Sequence, residues 1–345
     1  MTGEASILFR CDGNSQVGLG HVYRCIALAD ELLENHKCKI AFAMLSGEAG
    51  FEIVENANYQ IYHNIDGASE ENWLNDLINK VKPNSLVLDV RTGLQRSSLV
   101  QWRENGVIIA TIDDPEDKRL AADLVFCPPV PGVHIRDWSE LSGELFVGWE
   151  WVPLRRMFAK KHHIIPSDRL RILVTMGGSD EAGFTLKAIE ALNELDGDFD
   201  TTVILGGAYA HPKQLQEALL QSDHNYKVLE KVSNMAEIIA NTDLAIASFG
   251  VTAYELAAMS VPAIFLCLKN DHVLSASAFV DAGFAISLGI GSDISVSYFS
   301  NRIGKLLKNK IDRNKMSDLS SRLMDGKGAK RIALKIVSKL QQNKI

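Results

Sequence analysis

Short runs of β-branched and aliphatic residues alternate with segments of helical period, and the alternation occurs twice along the chain. In the first half the runs fall at residues 7–11, 39–45, 86–90, 107–112 and 124–127. Between the first two, Val22, Cys25, Ile26, Ala29, Leu32 and Leu33 recur at helical spacing. Strands that alternate with helices predict a parallel sheet covered on both faces. After Arg155 and Arg156 the stretch 160–167, Lys160-Lys161-His162-His163-Ile164-Ile165-Pro166-Ser167, gathers charge, loses periodicity and carries a proline, which marks a linker. The alternation then restarts at 172–176, 202–205, 227–232, 244–247, 263–266 and 285–288, with helices such as 182–194 and 253–259 between the runs. A chain of 345 residues also exceeds the size at which single cores stop growing. The expected fold class is therefore α/β, with two Rossmann-like doubly wound domains at 1–160 and 168–345 facing a cleft. Roughly the last 50 residues are helical and cationic, and their final helix has the length to cross back over the first lobe.

Composition narrows the function. A hydrophobic content of 46%, a charged content of 23% and a mean hydropathy of zero suit ordinary cores and argue against disorder or membrane residence. A net charge of −7 and a pI near 5.8 give no general basic face for nucleic acid, so none is expected as a partner. The N-terminal residues lack a basic segment followed by an apolar one, and no later segment approaches membrane-spanning length. A cytoplasmic protein without membrane insertion is the expectation. Cys11, Cys25, Cys38, Cys127 and Cys267 stand singly in apolar segments, which reads as reduced structural thiols. No metal and no cofactor are expected.

Three strand-to-helix turns carry the chemistry. The first runs from Arg10 to His21 and includes Asp12, Gly18 and Gly20. Backbone N–H groups and a helix dipole at such a turn attract an anion. Gly18-x-Gly20 lacks the third glycine of a dinucleotide fingerprint, and no acidic residue sits convincingly at the end of the next strand, so NAD binding is set aside. His21 stands in the first helical turn at the carboxyl edge of the sheet, where an imidazole can act as general base or can simply bond loop backbone. Asp12 either orients a sugar or the imidazole, or bonds loop N–H groups in an Asx-turn.

The second turn, Thr175-Met176-Gly177-Gly178-Ser179-Asp180, places glycines and a hydroxyl before a helix, with Ser179 or Asp180 as a possible N-cap. The third, Ser248-Phe249-Gly250-Val251-Thr252-Ala253-Tyr254-Glu255, offers Gly250 and a helix N-terminus to a diphosphate. Glu255 lies about one turn deeper, where a carboxylate can accept both ribose hydroxyls or merely complement the helix dipole. A diphosphate-linked ligand needs several donor clusters along one site, so the three turns together outweigh their separate structural readings. Asp89-Val90-Arg91 and Asp113-Asp114 also follow strands. The acidic pair reads as a loop end rather than a metal site, and His162-His163 as solvent-exposed linker.

Phe9-Arg10-x-Asp12 with Gly18-Leu19-Gly20-His21-x-x-Arg24-Cys25-x-x-Leu28-Ala29 resembles the opening of the pseudaminic-acid pathway hydrolase family. That family cleaves a UDP-linked diacetamido-trideoxy-altropyranose and includes related spore-coat polysaccharide proteins. The likeness continues through Ile112-Asp113-Asp114, Gly148-x-x-x-x-Pro153-Leu154-Arg155, Thr175-x-Gly177-Gly178-Ser179-Asp180 and Gly250-x-Thr252-x-x-Glu255, ending in Val261-Pro262. It implies a two-lobed GT-B-type fold whose C-terminal lobe holds uridine diphosphate. By the same resemblance Glu255 grips the ribose, the turn of Gly250, Val251 and Thr252 takes the diphosphate, and His21 activates water at the anomeric carbon. Two positions depart from the family pattern: Asp89-Val90-Arg91 replaces Asp-x-Tyr, and Asp271-His272 replaces Asn-Gln. Asp89, Asp271 and His272 are expected near the sugar, so the departures put the identity of the sugar in doubt rather than the nucleotide.

The expected activity is hydrolysis of a UDP-sugar, with His21 as base and Asp12 positioning the sugar. Glycosyl transfer to an acceptor by the same base is the alternative, and a non-catalytic sugar-nucleotide-binding subunit is a third.

Overall fold

The computed structural model of the chain describes residues 4–14, 18–45, 47–64, 67–91, 93–160, 162–230 and 232–343. Ser15, Gln16 and Val17 of the first turn, Lys161 of the charged stretch and Lys231 of the run at 227–232 lie outside the described residues.

Contacts divide the chain into two compact units. The first comprises Met1–Pro129, Val133–Arg156 and Gly326–Ile345, and the second Val130–Gly132 and Met157–Asp325. The first unit holds strands β1 Ser6–Cys11, β2 Lys39–Met44, β3 Gln60–His63, β4 Ser85–Asp89, β5 Ile108–Ile112, β6 Leu124–Cys127 and β7 Glu144–Val147. All pair in parallel, in the order β3-β2-β1-β4-β5-β6-β7. Runs such as Ser85-Leu86-Val87-Leu88-Asp89 and Ile108-Ile109-Ala110-Thr111-Ile112 are buried throughout, as strands covered by helices on both faces must be.

Two strands escape the periodicity argument. β3 and β7 lie at the two edges of the sheet, and their residues are only half-buried or exposed. An edge strand with partial cover needs no continuous apolar run, so it leaves no strong sequence signal.

The last helix, Gly328–Gln342, belongs to the first unit, the crossing back that the sequence allowed for the final helix, so the second unit ends at Asp325 and not at 345. Ile332, Ala333, Ile336 and Leu340 enter the core cluster formed by Val22, Cys25, Leu28 and Leu32 of the Gly20–His36 helix with Phe9, Phe42 and Phe126 of the sheet. A Cβ on Gly328 would stand 2.0 Å from the Val152 carbonyl oxygen, so this entry into the helix requires glycine.

The second unit holds β8 Leu170–Thr175, β9 Phe199–Leu205, β10 Asn225–Glu230, β11 Leu244–Ser248, β12 Ala263–Cys267 and β13 Ala285–Ile290. They form a parallel sheet in the order β10-β9-β8-β11-β12-β13. In each sheet the strand order reverses once, at β1/β4 and at β8/β11, and ligands of open α/β sheets bind outside the carboxyl ends of the strands at such a switch point.

Candidate functional site

In the first unit the switch point brings the end of β1 beside the end of β4, with Cys11 in register with Asp89. The chain leaves β1 through the glycine loop and enters the Gly20–His36 helix, which places His21 in its first turn. Arg24 and Cys25 follow at three and four residues, on the same helix face. All three turn toward Asp89.

Asp89 is 1% exposed, and its Oδ1 lies 2.7 Å from His21 Nδ1. Arg24 clasps the same carboxylate through Nε and a terminal nitrogen, and the Cys25 thiol donates to Oδ2 at 3.6 Å. Burial alone would raise the Asp89 pKa. The Arg24 guanidinium and the His21 imidazole outweigh it and hold the carboxyl well below the usual range. An ionised carboxylate only accepts, so the proton between it and the imidazole resides on Nδ1. Arg24 also stands 3.1 Å from that nitrogen, but it bonds the carboxylate more closely. With Nδ1–H committed to Asp89, the neutral ring carries its lone pair on Nε2, which has no hydrogen-bond partner among the described residues.

Several predicted residues take other places. Asp89, expected at a sugar, is buried beneath the imidazole with both oxygens engaged. Arg10, expected at the ligand, is 0% exposed and pairs with Asp12 and Glu70, each at 2.7 Å. Burial opposes its charge, but Asp12 and Glu70 raise its pKa further. Asp12, expected beside the sugar or in an Asx-turn, accepts from Leu45 N–H at the end of β2 at 2.8 Å and pairs with Arg10. The Gly18 N–H donates to the Asn14 carbonyl at 2.8 Å. Gly20 opens the helix.

The acidic pair after β5 is claimed by cations. Asp113, at φ 50°, accepts from Arg91 at 2.9 Å and lies 3.7 Å from Arg24. Asp114 is paired with the fully buried Lys118 at 3.3 Å, and Glu116 bonds the same ammonium. Burial pushes the Asp114 carboxyl up to about 6, although Lys118 pulls against it. A raised acid binds its proton more readily in the folded protein, so the contribution of Asp114 to stability is greatest below the unfolded carboxylate range and is lost as pH rises through about 6. Relative to the parent, Asp114→Asn gains on the order of 2 kcal/mol between pH 4 and 7, measured by urea unfolding.

Arg24 and Glu70 were not singled out by role from the sequence. Arg24 had a signal, since a cation on the helix face of Val22, Cys25, Ile26 and Ala29 requires a buried partner. Glu70 had none, because only the tertiary structure brings the first residue of the Glu70–Val81 helix to Arg10.

In the second unit the Gly177-Gly178 turn after β8 adjoins the turn after β11. A Cβ built on Gly177, at φ 84°, would lie 3.6 Å from Ser248 Oγ. Gly206, just past β9, packs on the same loop, and a Cβ there would meet the Gly178 carbonyl oxygen at 2.1 Å. Asp180 caps the Phe184–Asn193 helix, its carboxylate accepting from Phe184 N–H at 2.9 Å and Thr185 N–H at 2.8 Å. That helix terminus is thus occupied by the chain's own carboxylate, the N-cap alternative that the sequence offered for Asp180. Ser179 holds Ala210 N–H through its carbonyl.

The Val251–Ala258 helix differs. Its N-cap is Gly250, exposed and with no side-chain cap, and space around it is open to 4 Å. Val251 and Thr252 form its first turn, while Glu255 is 7% exposed one turn deeper. Asp271 and His272 open the next helix, Asn270–Asp281, on the same sheet edge, and the His272 ring lies 6.1 Å from that of Phe249. Among the described residues no group of three or more His, Cys, Asp or Glu could hold a metal ion, and no helix is long and apolar enough to cross a membrane.

Residues 171–332 match the family model described as Glycosyltransferase family 28 C-terminal domain. Two relatives align over most of the chain. An uncharacterized protein of Methanocaldococcus jannaschii is 27% identical over 267 residues, which cover 74% of this chain and 54% of that protein, so the match spans about half of the relative's length. Spore coat polysaccharide biosynthesis protein SpsG of Bacillus subtilis is 23% identical over 327 residues, covering 93% and 94%. Among solved structures, MurG of Acinetobacter baumannii superposes with a TM-score of 0.73 at 15% identity, over 97% of this chain and 99% of that one. UDP-GlcNAc 2-epimerase of Neisseria meningitidis bound to UDP-GlcNAc gives 0.65 at 12%, over 97% and 100%. The chain therefore has a GT-B-like fold, two parallel-sheet α/β domains, of which the second carries the match to the family 28 domain.

Proposed function

We propose that the chain hydrolyses a UDP-linked amino or deoxy sugar at the anomeric carbon, releasing UDP and free sugar for nonulosonic acid or surface-polysaccharide synthesis. The observation that carries this reading is the His21–Asp89 pair at the switch point of the first sheet, an imidazole oriented by a buried carboxylate and open at Nε2.

In the proposed reaction Nε2 accepts a proton as the water oxygen bonds to the anomeric carbon. The bond from that carbon to the diphosphate oxygen breaks, and its electron pair leaves with UDP. Asp89 stabilises the imidazolium so formed. The uncapped N–H groups behind Gly250 receive the diphosphate charge as it grows, with Val251 and Thr252 supplying the first turn. The Gly177-Gly178 turn, with Ser179 and Ser248, lines the same switch point, and Glu255 accepts from the ribose hydroxyls. The resemblance to UDP-sugar hydrolases and the UDP-GlcNAc in the epimerase neighbour support a uridine nucleotide. Asp271 and His272 remain the candidates for contact with the sugar.

The match of residues 171–332 to a glycosyltransferase domain favours a second reading, transfer to an acceptor hydroxyl by the same base. UDP release from a panel of UDP-sugars, measured with and without acceptor, separates the two. Release without acceptor supports hydrolysis, acceptor dependence supports transfer, and binding with no release in either case removes both.

Glu255→Ala weakens UDP binding by roughly 10- to 100-fold, the worth of charge-assisted hydrogen bonds to the ribose. Equal affinity by calorimetry removes the ribose assignment.

A further inference from the structure

The chain is acidic overall, yet residues 302–315 hold six cations and one anion. Arg313 is buried and caps the Val296–Lys308 helix, donating to the Leu306 and Leu307 carbonyls at 2.5 and 2.7 Å. Lys305, Lys308, Lys310 and Lys315 are exposed, and none forms a salt bridge among the described residues. Lys305 and Lys308 suit the helix C-terminus, where cations are favoured. Lys310 does not, because it opens the Lys310–Leu323 helix, where a cation opposes the dipole. Beside it Ile311 is 80% exposed. Neither packing nor helix electrostatics accounts for this pair.

The junction lies away from the glycine turns of its own unit. Ser320 of the Lys310–Leu323 helix donates to the Ala257 carbonyl at 2.7 Å, at the end of the Val251–Ala258 helix that has run back from Gly250 toward the start of β11. The basic junction is therefore at the amino edge of the second sheet and the turns are at its carboxyl edge.

We propose that the junction of the Val296–Lys308 and Lys310–Leu323 helices is a docking surface for an anionic lipid bilayer, with the four lysines at headgroup phosphates and Ile311 entering the interface. Cations around an exposed aliphatic side chain match a surface that is negative outside and apolar beneath. A nucleic-acid backbone offers the phosphates without the apolar layer. The acidic remainder of the chain is repelled by the same membrane, which orients the contact. This is peripheral attachment, and it does not rest on the reaction assigned above.

Sedimentation of the full chain with vesicles of phosphatidylcholine, with and without phosphatidylglycerol, tests the surface. The expected result is binding only to the anionic vesicles, lost at high salt. Lys308→Glu with Lys310→Glu lowers the partition constant by roughly 25-fold or more, since each cation near such a surface contributes roughly fivefold. Ile311→Ser and Lys315→Glu, made separately, each weaken it while leaving thermal unfolding at the parental temperature. No binding, equal binding to both vesicle types, or variants that bind like the parent overturn the proposal. So does binding to a DNA duplex with none to vesicles.

Discussion

His21→Asn lowers UDP-sugar turnover by roughly 100-fold or more while UDP affinity stays at the parental value, the loss typical of removing a general base. The asymmetry follows from where the groups stand. His21 belongs to the first unit, with Nε2 unpartnered among the described residues, whereas the turns proposed to hold the nucleotide follow β8 and β11 in the second. Asparagine keeps a polar contact to Asp89 but has no titrating nitrogen to take a proton from water. Steady-state release of UDP gives the rate and calorimetry gives the affinity. Unchanged turnover removes His21 from the mechanism.

Asp89→Asn is expected to act on both stability and rate. Removing one partner of a buried ion pair leaves the other uncompensated, and Arg24 is only 14% exposed, so the variant loses about 3 kcal/mol of unfolding free energy at neutral pH. The sign of the pH dependence is set by the depressed Asp89 pKa. Its contribution is fully present above the unfolded carboxylate range and is lost as pH falls and the parent protonates Asp89, so the two proteins converge in acid. Urea unfolding across that range measures the convergence, and a constant gap refutes it. Turnover falls as well, by roughly 100-fold, because an amide does not compel the proton onto Nδ1. A role confined to stability would leave the pH profile of turnover in the folded variant unchanged, whereas a positioning role shifts it.

Much of the architecture was legible from periodicity. Runs such as 7–11, 86–90 and 244–247 became parallel strands, to within a residue or so at their ends, because a sheet buried on both faces writes continuous apolar segments into the chain. The edge strands β3 and β7 were not legible, since they carry little buried surface. The glycine turns at Gly177 and Gly250 were also visible, because close approach and open backbone demand glycine wherever they occur.

Roles within the site divided differently. Residue type and local sequence determined that His21 would begin a helix at a strand's carboxyl edge, and that Gly250 would leave a helix terminus uncapped. Only the tertiary structure decided that Asp89, 68 residues from His21, would be its orienting carboxylate. It likewise set Asp12 to holding Arg10 and the Leu45 N–H instead of a sugar. The physical reason is range. Backbone conformation and helical spacing are properties of neighbours in the chain, whereas the charge a buried carboxylate keeps depends on which cations the fold places within a few ångströms of it.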